Sequence, residues 1–315
     1  MHMIDAHGDP MRILITGGTG FVGSRLIARM QPQGHEFVVL TRNAEKARRK
    51  LGMDTFRIIE WDTRSPIPPD AFQGVEAAVN LVGESIASKR WSSQQKKKII
   101  NSRVEPTRAL VDGINAHAPQ CRALVSASAI GYYPVNHPEP LEEESEPAAG
   151  FMSEICQKWE AEAERVNEST RLVIVRIGVV LGRGGGVVGR LMPIFKAGLG
   201  GPVSDGSQMM SWIHLEDLAG ILSRGLKEDS MRGVYNAVAP HPVTNREFSK
   251  AFAKALGRPA LLPAPAFMLR ATMGEMADIV LDSQAISGRK VQEEGGYSFL
   301  YPRIEHAMNE IAGRS

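Results

Sequence analysis

The chain has 315 residues, 43% of them hydrophobic and 23% charged, the composition of a globular protein with a full core. Its formal charge of +2 gives no electrostatic case for nucleic acid as a partner. No apolar run approaches the roughly 18 residues that span a bilayer, so no membrane is expected as a partner either.

The start, Met1 to Pro10, is polar and lacks the apolar centre of a signal peptide, so residues 1–10 read as a disordered leader ahead of Met11. Arg12–Thr16 (RILIT) is a short apolar strand, and the glycines after it open a helix over Phe21–Met30. Phe37–Leu40 (FVVL) and Arg57–Glu60 make a second and a third strand. Ala77–Val82 (AAVNLV) and Ala123–Ser126 (ALVS) follow, separated by a long helix from about Gln94 to Ala116. The Lys96-Lys97-Lys98 run on that helix is most simply a solvated face. A helix from about Phe151 to Asn167 leads into Leu172–Ile177 (LVIVRI). Short, fully apolar strands alternating with helices predict a parallel sheet covered on both faces, the α/β doubly wound, Rossmann-type architecture.

Past residue 180 the texture changes. Leu181–Gly186 (LGRGGG) and Gly198–Gly206 (GLGGPVSDG) are glycine-rich loops, read as a cover over a substrate, with plain structural turns as the alternative. Thr244 and Glu247 have the spacing of a capping box that opens a helix through Leu256. The expected division is a nucleotide-binding domain over 11–180, with segments near 207–240 returning to it. A smaller, partly interleaved substrate-side domain covers 181–315.

The sharpest local signal is Thr16-Gly17-Gly18-Thr19-Gly20-Phe21-Val22-Gly23, lying between a strand and a helix. Gly17 permits a tight turn, Gly20 lets backbone approach a pyrophosphate, and Gly23 permits close packing of helix on strand. Enzymes that use NAD usually carry a carboxylate at the end of the second strand, about 20 residues on, for the ribose 2′-hydroxyl. This chain has Thr41 and Arg42 there instead. An arginine can clamp a 2′-phosphate with two donors and the threonine can add a hydroxyl, so NADP(H) is the expected cofactor.

The turn, the NLVGE after the fourth strand and the SASAIGYY after the fifth resemble the extended short-chain dehydrogenase/reductase superfamily. Arg176–Gly186 (RIGVVLGRGGG), Met192–Gly201 (MPIFKAGLGG) and Ser211–Gly220 (SWIHLEDLAG) are similar to its atypical NAD(P)-dependent epimerase-like branch. The likeness runs from Arg12 to about Met308. It implies further cofactor contacts: Asp62 at the adenine, Leu81, Val82 and Gly83 under the adenosine ribose and pyrophosphate, and Gly178 and Val179 beside the nicotinamide. It also implies that Lys98 and Arg103 project toward the cofactor, where relatives more often carry asparagine at the position of Arg103.

The superfamily's catalytic pair is Tyr-x-x-x-Lys, assisted by a serine that Ser128 matches. The lysine lowers the tyrosine pKa, and the tyrosine exchanges a proton with the substrate oxygen. The five tyrosines are followed four residues on by Asn136, His137, Ala239, Tyr301 and Glu305, so the pair is absent. Anchoring on Trp159-Glu160 puts Met152 and Cys156 at the two positions, and Cys156 reads as a buried structural thiol. Lys158 is about 200° of helix rotation away from Cys156 and does not substitute. Tyr133, with Tyr132, lies on the loop after Ser128 and is a candidate acid, although a free phenol with a pKa of about 10 matches neutral pH poorly.

His214 and Asp217 read as structural. The eight histidines show no metal-ligand spacing, so no metal is expected. Cys121 and Cys156 have no redox spacing, which points to a reducing compartment and a cytoplasmic protein.

The reading is an NADP(H)-binding, epimerase-like oxidoreductase acting on an unidentified small carbonyl or hydroxyl substrate, with a nucleotide sugar as one candidate. The alternative is a non-catalytic NADP(H)-binding or redox-sensing protein.

Overall fold

A computed structural model describes residues 9–52 and 56–314. The leader expected over residues 1–10 therefore lies almost wholly outside the described residues. Strands β1 (Arg12–Thr16), β2 (Glu36–Thr41), β3 (Phe56–Glu60), β4 (Ala77–Asn80), β5 (Ala123–Ala129) and β6 (Arg171–Ile177) build the main sheet. Three short strands, β7 (Val179–Leu181), β8 (Met209–Met210) and β9 (Trp212–His214), precede β10 (Gly233–Ala237), and β11 (Val243–Thr244) comes last. The main sheet has seven strands in the order β10-β6-β5-β4-β1-β2-β3, and every neighbouring pair is parallel. The strand order reverses direction between β1 and β4, and in open parallel sheets ligands bind at the carboxyl ends beside such a switch.

The sequence alternation decides which layer each strand residue joins. Ile13, Ile15, Val39, Val79, Val125, Val173 and Val175 face one core, packed under helix α1 (Phe21–Met30) and a later helix at Leu215–Lys227. Leu14, Val38, Leu40, Ala78 and Leu124 face the opposite core with Leu110, Val111 and Ile114. Those last three belong to the long helix α3 (Ser93–His117), which follows α2 (Ala44–Leu51). Both faces of the sheet are thus buried, which is why its strands are continuous apolar runs rather than alternating ones.

Helix α4 covers Phe151–Ala163 and stops four residues before the expected Asn167. Beyond that end the Asn115 side chain on α3 holds the chain, accepting from the Asn167 amide and donating to the Arg165 carbonyl, at 2.9 and 3.0 Å. Helix propensity alone cannot foresee such a clamp.

The remaining helices are α5 (Gly186–Lys196), α6 (Leu215–Lys227), α7 (Asn245–Leu256), α8 (Ala266–Met273), α9 (Asp278–Leu281), α10 (Arg289–Glu293) and α11 (Ile304–Ala312). Phe195 of α5, Phe248 and Phe252 of α7, and Met308 and Ile311 of α11 share a separate apolar cluster with Trp212. The capping box at the start of α7 forms, with Thr244 Oγ1 accepting from the Glu247 amide and the Glu247 carboxylate accepting from the Thr244 amide. Among the described residues, no helix is long and apolar enough to cross a membrane.

Candidate functional site

At the carboxyl end of β1 the chain turns through Gly17 at a φ of +71°, where an added Cβ would stand 2.6 Å from the Leu81 carbonyl oxygen. The Gly20 amide donates to the Gly17 carbonyl at 2.8 Å and closes the turn. Gly20 is also the N-cap of α1 and, having no side chain, offers that helix no cap. Among the described residues the start of α1 thus has no side-chain cap, and the positive end of the helix dipole sits at the turn, as an anion seat requires. A Cβ at Gly23 would lie 2.4 Å from the Gly17 carbonyl oxygen, so this glycine seats the helix on the turn itself rather than on a strand.

Phe21 and Val22 pack rather than reach outward. Val22 joins the core beneath α1. The Phe21 ring lies against the 182–186 segment, where a Cβ at Gly185 would stand 2.4 Å from it. The first glycine-rich loop is therefore packed on α1 and runs straight into α5. The second is bridged at Val203 to Ala264 and held by the Asn245 side chain, which accepts from the Val203 amide at 2.7 Å. Of the two sequence readings, packed structural turns describe both loops better than a loose cover.

A buried polar layer fixes the turn from below. Thr16 Oγ1 donates to Asn80 Oδ1 at 2.8 Å, and Asn80 Nδ2 donates to Thr107 Oγ1 at 2.7 Å and Ser126 Oγ at 3.2 Å. The Leu81 amide donates to Thr16 Oγ1 at 3.2 Å. This network joins β1, β4, β5 and α3 and sets the Leu81-Val82-Gly83 segment against the glycine turn. Asn80 is marked in the sequence only as an amide ending an otherwise apolar strand, which the fold buries completely.

Beside the end of β2, a cavity of about 370 Å³ is walled by Arg42, Glu60, Trp61, Asp62 and Ser65. Arg42 is exposed at its edge and Thr41 is half-buried, with its hydroxyl accepting from the Asn43 amide at 3.3 Å. Asp62 caps its own turn: its carboxylate accepts from the Arg64 and Ser65 amides at 2.8 Å and from Ser65 Oγ at 2.9 Å. Those donors hold its pKa below the ordinary carboxylate value.

Lys98 and Arg103 both grip the segment after β4. Lys98 Nζ pairs with Glu84 Oε1 at 3.0 Å, which lowers the Glu84 pKa. Arg103 donates to the Glu84 carbonyl at 2.9 Å and the Ile99 carbonyl at 3.1 Å, and stacks 5.2 Å from the Trp159 ring. Burial lowers the Arg103 pKa. A Cβ at Gly83 would touch that guanidinium at 3.0 Å, so the glycine makes room for it. Lys96 is not a purely solvated charge, since it pairs with Glu275 at 2.5 Å and sits 5.1 Å from the Phe151 ring.

At the end of β5 the polar groups satisfy one another. Ser128 Oγ donates to Glu160 Oε1 at 2.5 Å. Glu160 also accepts two bonds from Arg176, at 2.9 and 2.8 Å. Arg176 donates in addition to the Tyr133 hydroxyl at 2.8 Å and the Glu143 carbonyl at 3.0 Å. The Tyr133 hydroxyl donates to Asn236 Oδ1 at 2.7 Å. Burial raises the Tyr133 pKa to about 12, and only 1% of the residue is exposed. Tyr133 is thus a buried strut between β6 and β10, a placement that does not suit a proton donor to substrate. Tyr132 is half-buried and lies flat under the Arg176 guanidinium, 3.4 Å from it.

Met152 and Cys156 occupy the α4 face against this loop. A Cβ at Gly131 would meet Met152 at 3.1 Å, and Cys156 Sγ lies 3.5 Å from the Ala129 carbonyl. Burial raises the Cys156 pKa to about 11, so it is a protonated, packed thiol. Gly178 is the joint where the chain leaves the main sheet for β7; its Cβ would collide with the Ser211 carbonyl and Val238, both at 2.8 Å. Val179 continues into β7, its amide bonded to the Ser211 carbonyl at 2.9 Å.

His214 caps α6, accepting from the Glu216 amide, and its other ring nitrogen meets Glu310 at 3.2 Å. Asp217 is fully buried and accepts from Tyr297 Oη, the Leu300 amide and the Tyr301 amide. Together they fasten the C-terminal YSFLYP segment and α11 to α6. Among the described residues, no group of three or more His, Cys, Asp or Glu side chains could hold a metal ion.

A glycine turn at a helix start, a parallel seven-stranded sheet and a C-terminal extension define an extended dinucleotide-binding protein of the short-chain dehydrogenase/reductase kind. The NAD dependent epimerase/dehydratase family profile matches residues 13–237, and a domain of unknown function, DUF1731, matches residues 264–311. The chain belongs to that epimerase/dehydratase family. It is similar to the epimerase family protein SDR39U1 of Bos taurus, 39% identical over 312 residues, with 96% of this chain and 99% of that protein covered. The chloroplastic homologue of SDR39U1 from Arabidopsis thaliana is 37% identical over 309 residues, covering 96% of this chain and 86% of that protein. The crystal structure of human SDR39U1 with NADPH superposes with a TM-score of 0.87 at 37% identity, covering 96% and 99% of the two chains.

Proposed function

We propose that this chain binds NADP(H) across the carboxyl ends of β1, β2, β4 and β5 and is an epimerase-like oxidoreductase for a small carbonyl or hydroxyl substrate. The observation that carries the reading is the uncapped start of α1 behind the Gly17–Gly23 turn, with a cavity and an exposed Arg42 one strand away. A Cβ at Gly20 would meet only the Gly17 carbonyl, at 3.0 Å, so the outer side of the turn is open to a ligand. The NADPH held by the human relative supports the same cofactor here.

Gly17, Gly20 and the α1 N–H groups would hold the pyrophosphate, Arg42 and Thr41 the 2′-phosphate, and the walls near Asp62 the adenine. Leu81-Val82-Gly83, kept in place by Lys98 and Arg103 through Glu84, would lie under the adenosine, and Gly178 and Val179 beside the nicotinamide. The bound nicotinamide supplies hydride exchange. Ser128 donates a hydrogen bond to Glu160 and is itself buried, at 2% exposed, so toward a substrate hydroxyl its oxygen would serve only as an acceptor. Glu160, which accepts twice from Arg176, holds that hydrogen-bond arrangement fixed. A nucleotide sugar remains one candidate substrate.

A second reading is favoured by Met152 and Cys156, which put apolar packing where a tyrosine and a lysine would work, and by the saturated hydroxyl of Tyr133. On that reading the protein binds NADP(H) without turnover. The experiment is to mix purified protein and NADPH with a panel of carbonyls and nucleotide sugars and follow nicotinamide oxidation. Turnover lost in Ser128→Ala supports the enzyme; NADPH binding with no oxidation across the panel supports the binding protein.

A further inference from the structure

A cation beside the glycine turn is explained neither by the glycine motif nor by the arginine after β2. Lys50, in the last turn of α2, reaches back across 31 positions of sequence and donates from Nζ to the Thr19 carbonyl at 2.7 Å. Thr19 stands in the glycine turn, directly before Gly20. Lys50 is exposed and its partner is a neutral carbonyl. Fixing a lysine costs rotamer entropy, and one exposed carbonyl is a weak return for an ammonium otherwise fully hydrated. A cation held at such a place is better matched to an anion arriving beside it.

The topology supplies the other half. β1 and β2 are neighbours in register, with Thr16 opposite Leu40, so the glycine turn and the Thr41-Arg42 corner leave the sheet side by side. Helix α2 starts at that corner, where the Asn43 side chain caps it by accepting from the Lys46 amide at 2.7 Å. Its inner face is anchored by Ala47 and Leu51. The helix is thereby aimed so that its last lysine returns to the glycine turn. Arg42 lines the cavity beside that corner, together with Glu60 and Asp62. Asp62 is spent on its own turn, its two oxygens taken by Arg64 and Ser65. The neighbouring Arg49 is directed elsewhere, pairing with Glu45 at 3.5 Å.

We propose that Lys50 is a second cation of the subsite for the adenosine 2′-phosphate and helps set the preference for the phosphorylated dinucleotide. This rests on the NADP(H) reading given above. In that arrangement Arg42 contributes a planar pair of donors from the corner after β2. Lys50 contributes a point charge from the side of the glycine turn, exchanging its carbonyl partner for a phosphate oxygen or keeping both among its three donors.

The test is calorimetric titration of the full chain with NADPH and with NADH, comparing wild type, Lys50→Met and Lys50→Arg, with melting temperature as a check on folding. Lys50→Met keeps the apolar stem and removes the charge. Its NADPH Kd is expected to rise about tenfold to a hundredfold, the span of one charge-assisted bond, while the NADH Kd stays within about twofold. Lys50→Arg should recover most of the loss. Equal weakening toward both nucleotides would make Lys50 a latch for the turn and overturn the proposal, as would an NADPH Kd that does not change. A wild-type chain that binds NADPH no better than NADH defeats the NADP(H) reading itself. A wild-type preference that survives Lys50→Met defeats only the part given to the lysine.

Discussion

The two ends of the proposed cofactor cleft are built on opposite plans. At the nucleotide end the polar groups are left available: α1 starts without a side-chain cap, and Arg42 and Lys50 are exposed. At the reacting end they are consumed internally, with Ser128, Glu160, Arg176, Tyr133 and Asn236 bonded to one another in a buried chain. An open set of donors is a binding surface. A closed set is first of all a structural brace between α4, β5, β6 and β10, and any chemistry there must work through what it leaves over, chiefly the Ser128 oxygen.

Substitutions can break this contrast in a graded way. The largest effect is expected from Glu160→Ala, which leaves the Arg176 guanidinium buried without its carboxylate. Removing one member of a buried ion pair typically costs about 3–5 kcal/mol, to be read by denaturant unfolding. Loss of less than about 1 kcal/mol would mean the brace is not load-sharing at all. Next, Gly17→Val forces a side chain into a positive-φ position and against the Leu81 carbonyl. It should remove detectable NADPH binding and lower stability by at least about 1–3 kcal/mol. Arg42→Asp follows, leaving the fold alone while weakening NADPH by at least about tenfold relative to NADH.

A smaller effect concerns pH. Burial lowers the pKa values of His35 and His214, with Lys227 also acting on His35. A folded-state pKa below that of the unfolded chain means the unfolded chain takes up the proton first. Stability from these groups is therefore intact above the unfolded value near 6.5 and is lost as pH falls below it. Between neutral and mildly acid solution the wild-type melting temperature should fall further than that of His35→Gln, in which one such titration is removed; parallel profiles would contradict a buried neutral imidazole at His35. The smallest change is expected for Thr244→Ala, which opens the capping box of α7 at a cost of about 1 kcal/mol.

Legibility from sequence divides along the same line. The strands were readable because burial on both sheet faces leaves only apolar residues, and α1 because its glycines sit between strand and helix. The glycine turn and Arg42 were readable because backbone approach and a missing carboxylate are local facts. The Thr16–Asn80–Ser126 layer, the role of Phe21 under Gly185, and the reach of Lys50 to Thr19 join residues distant in the chain, and no spacing rule announces them. The same holds for Tyr133: its position after β5 suggested chemistry, while its partners Arg176 and Asn236, brought in by β6 and β10, make it a strut. The absent Tyr-x-x-x-Lys pair could be read directly, but what fills its place is a matter of packing.

On the proposed reading, the nucleotide end is made for a phosphorylated adenosine. The most direct measurement is calorimetric titration of the wild-type chain with NADPH and with NADH under one buffer. The expected result is NADPH bound at least about tenfold more tightly, the contribution of a charge-assisted phosphate contact. Equal affinities, or a preference for NADH, would contradict it.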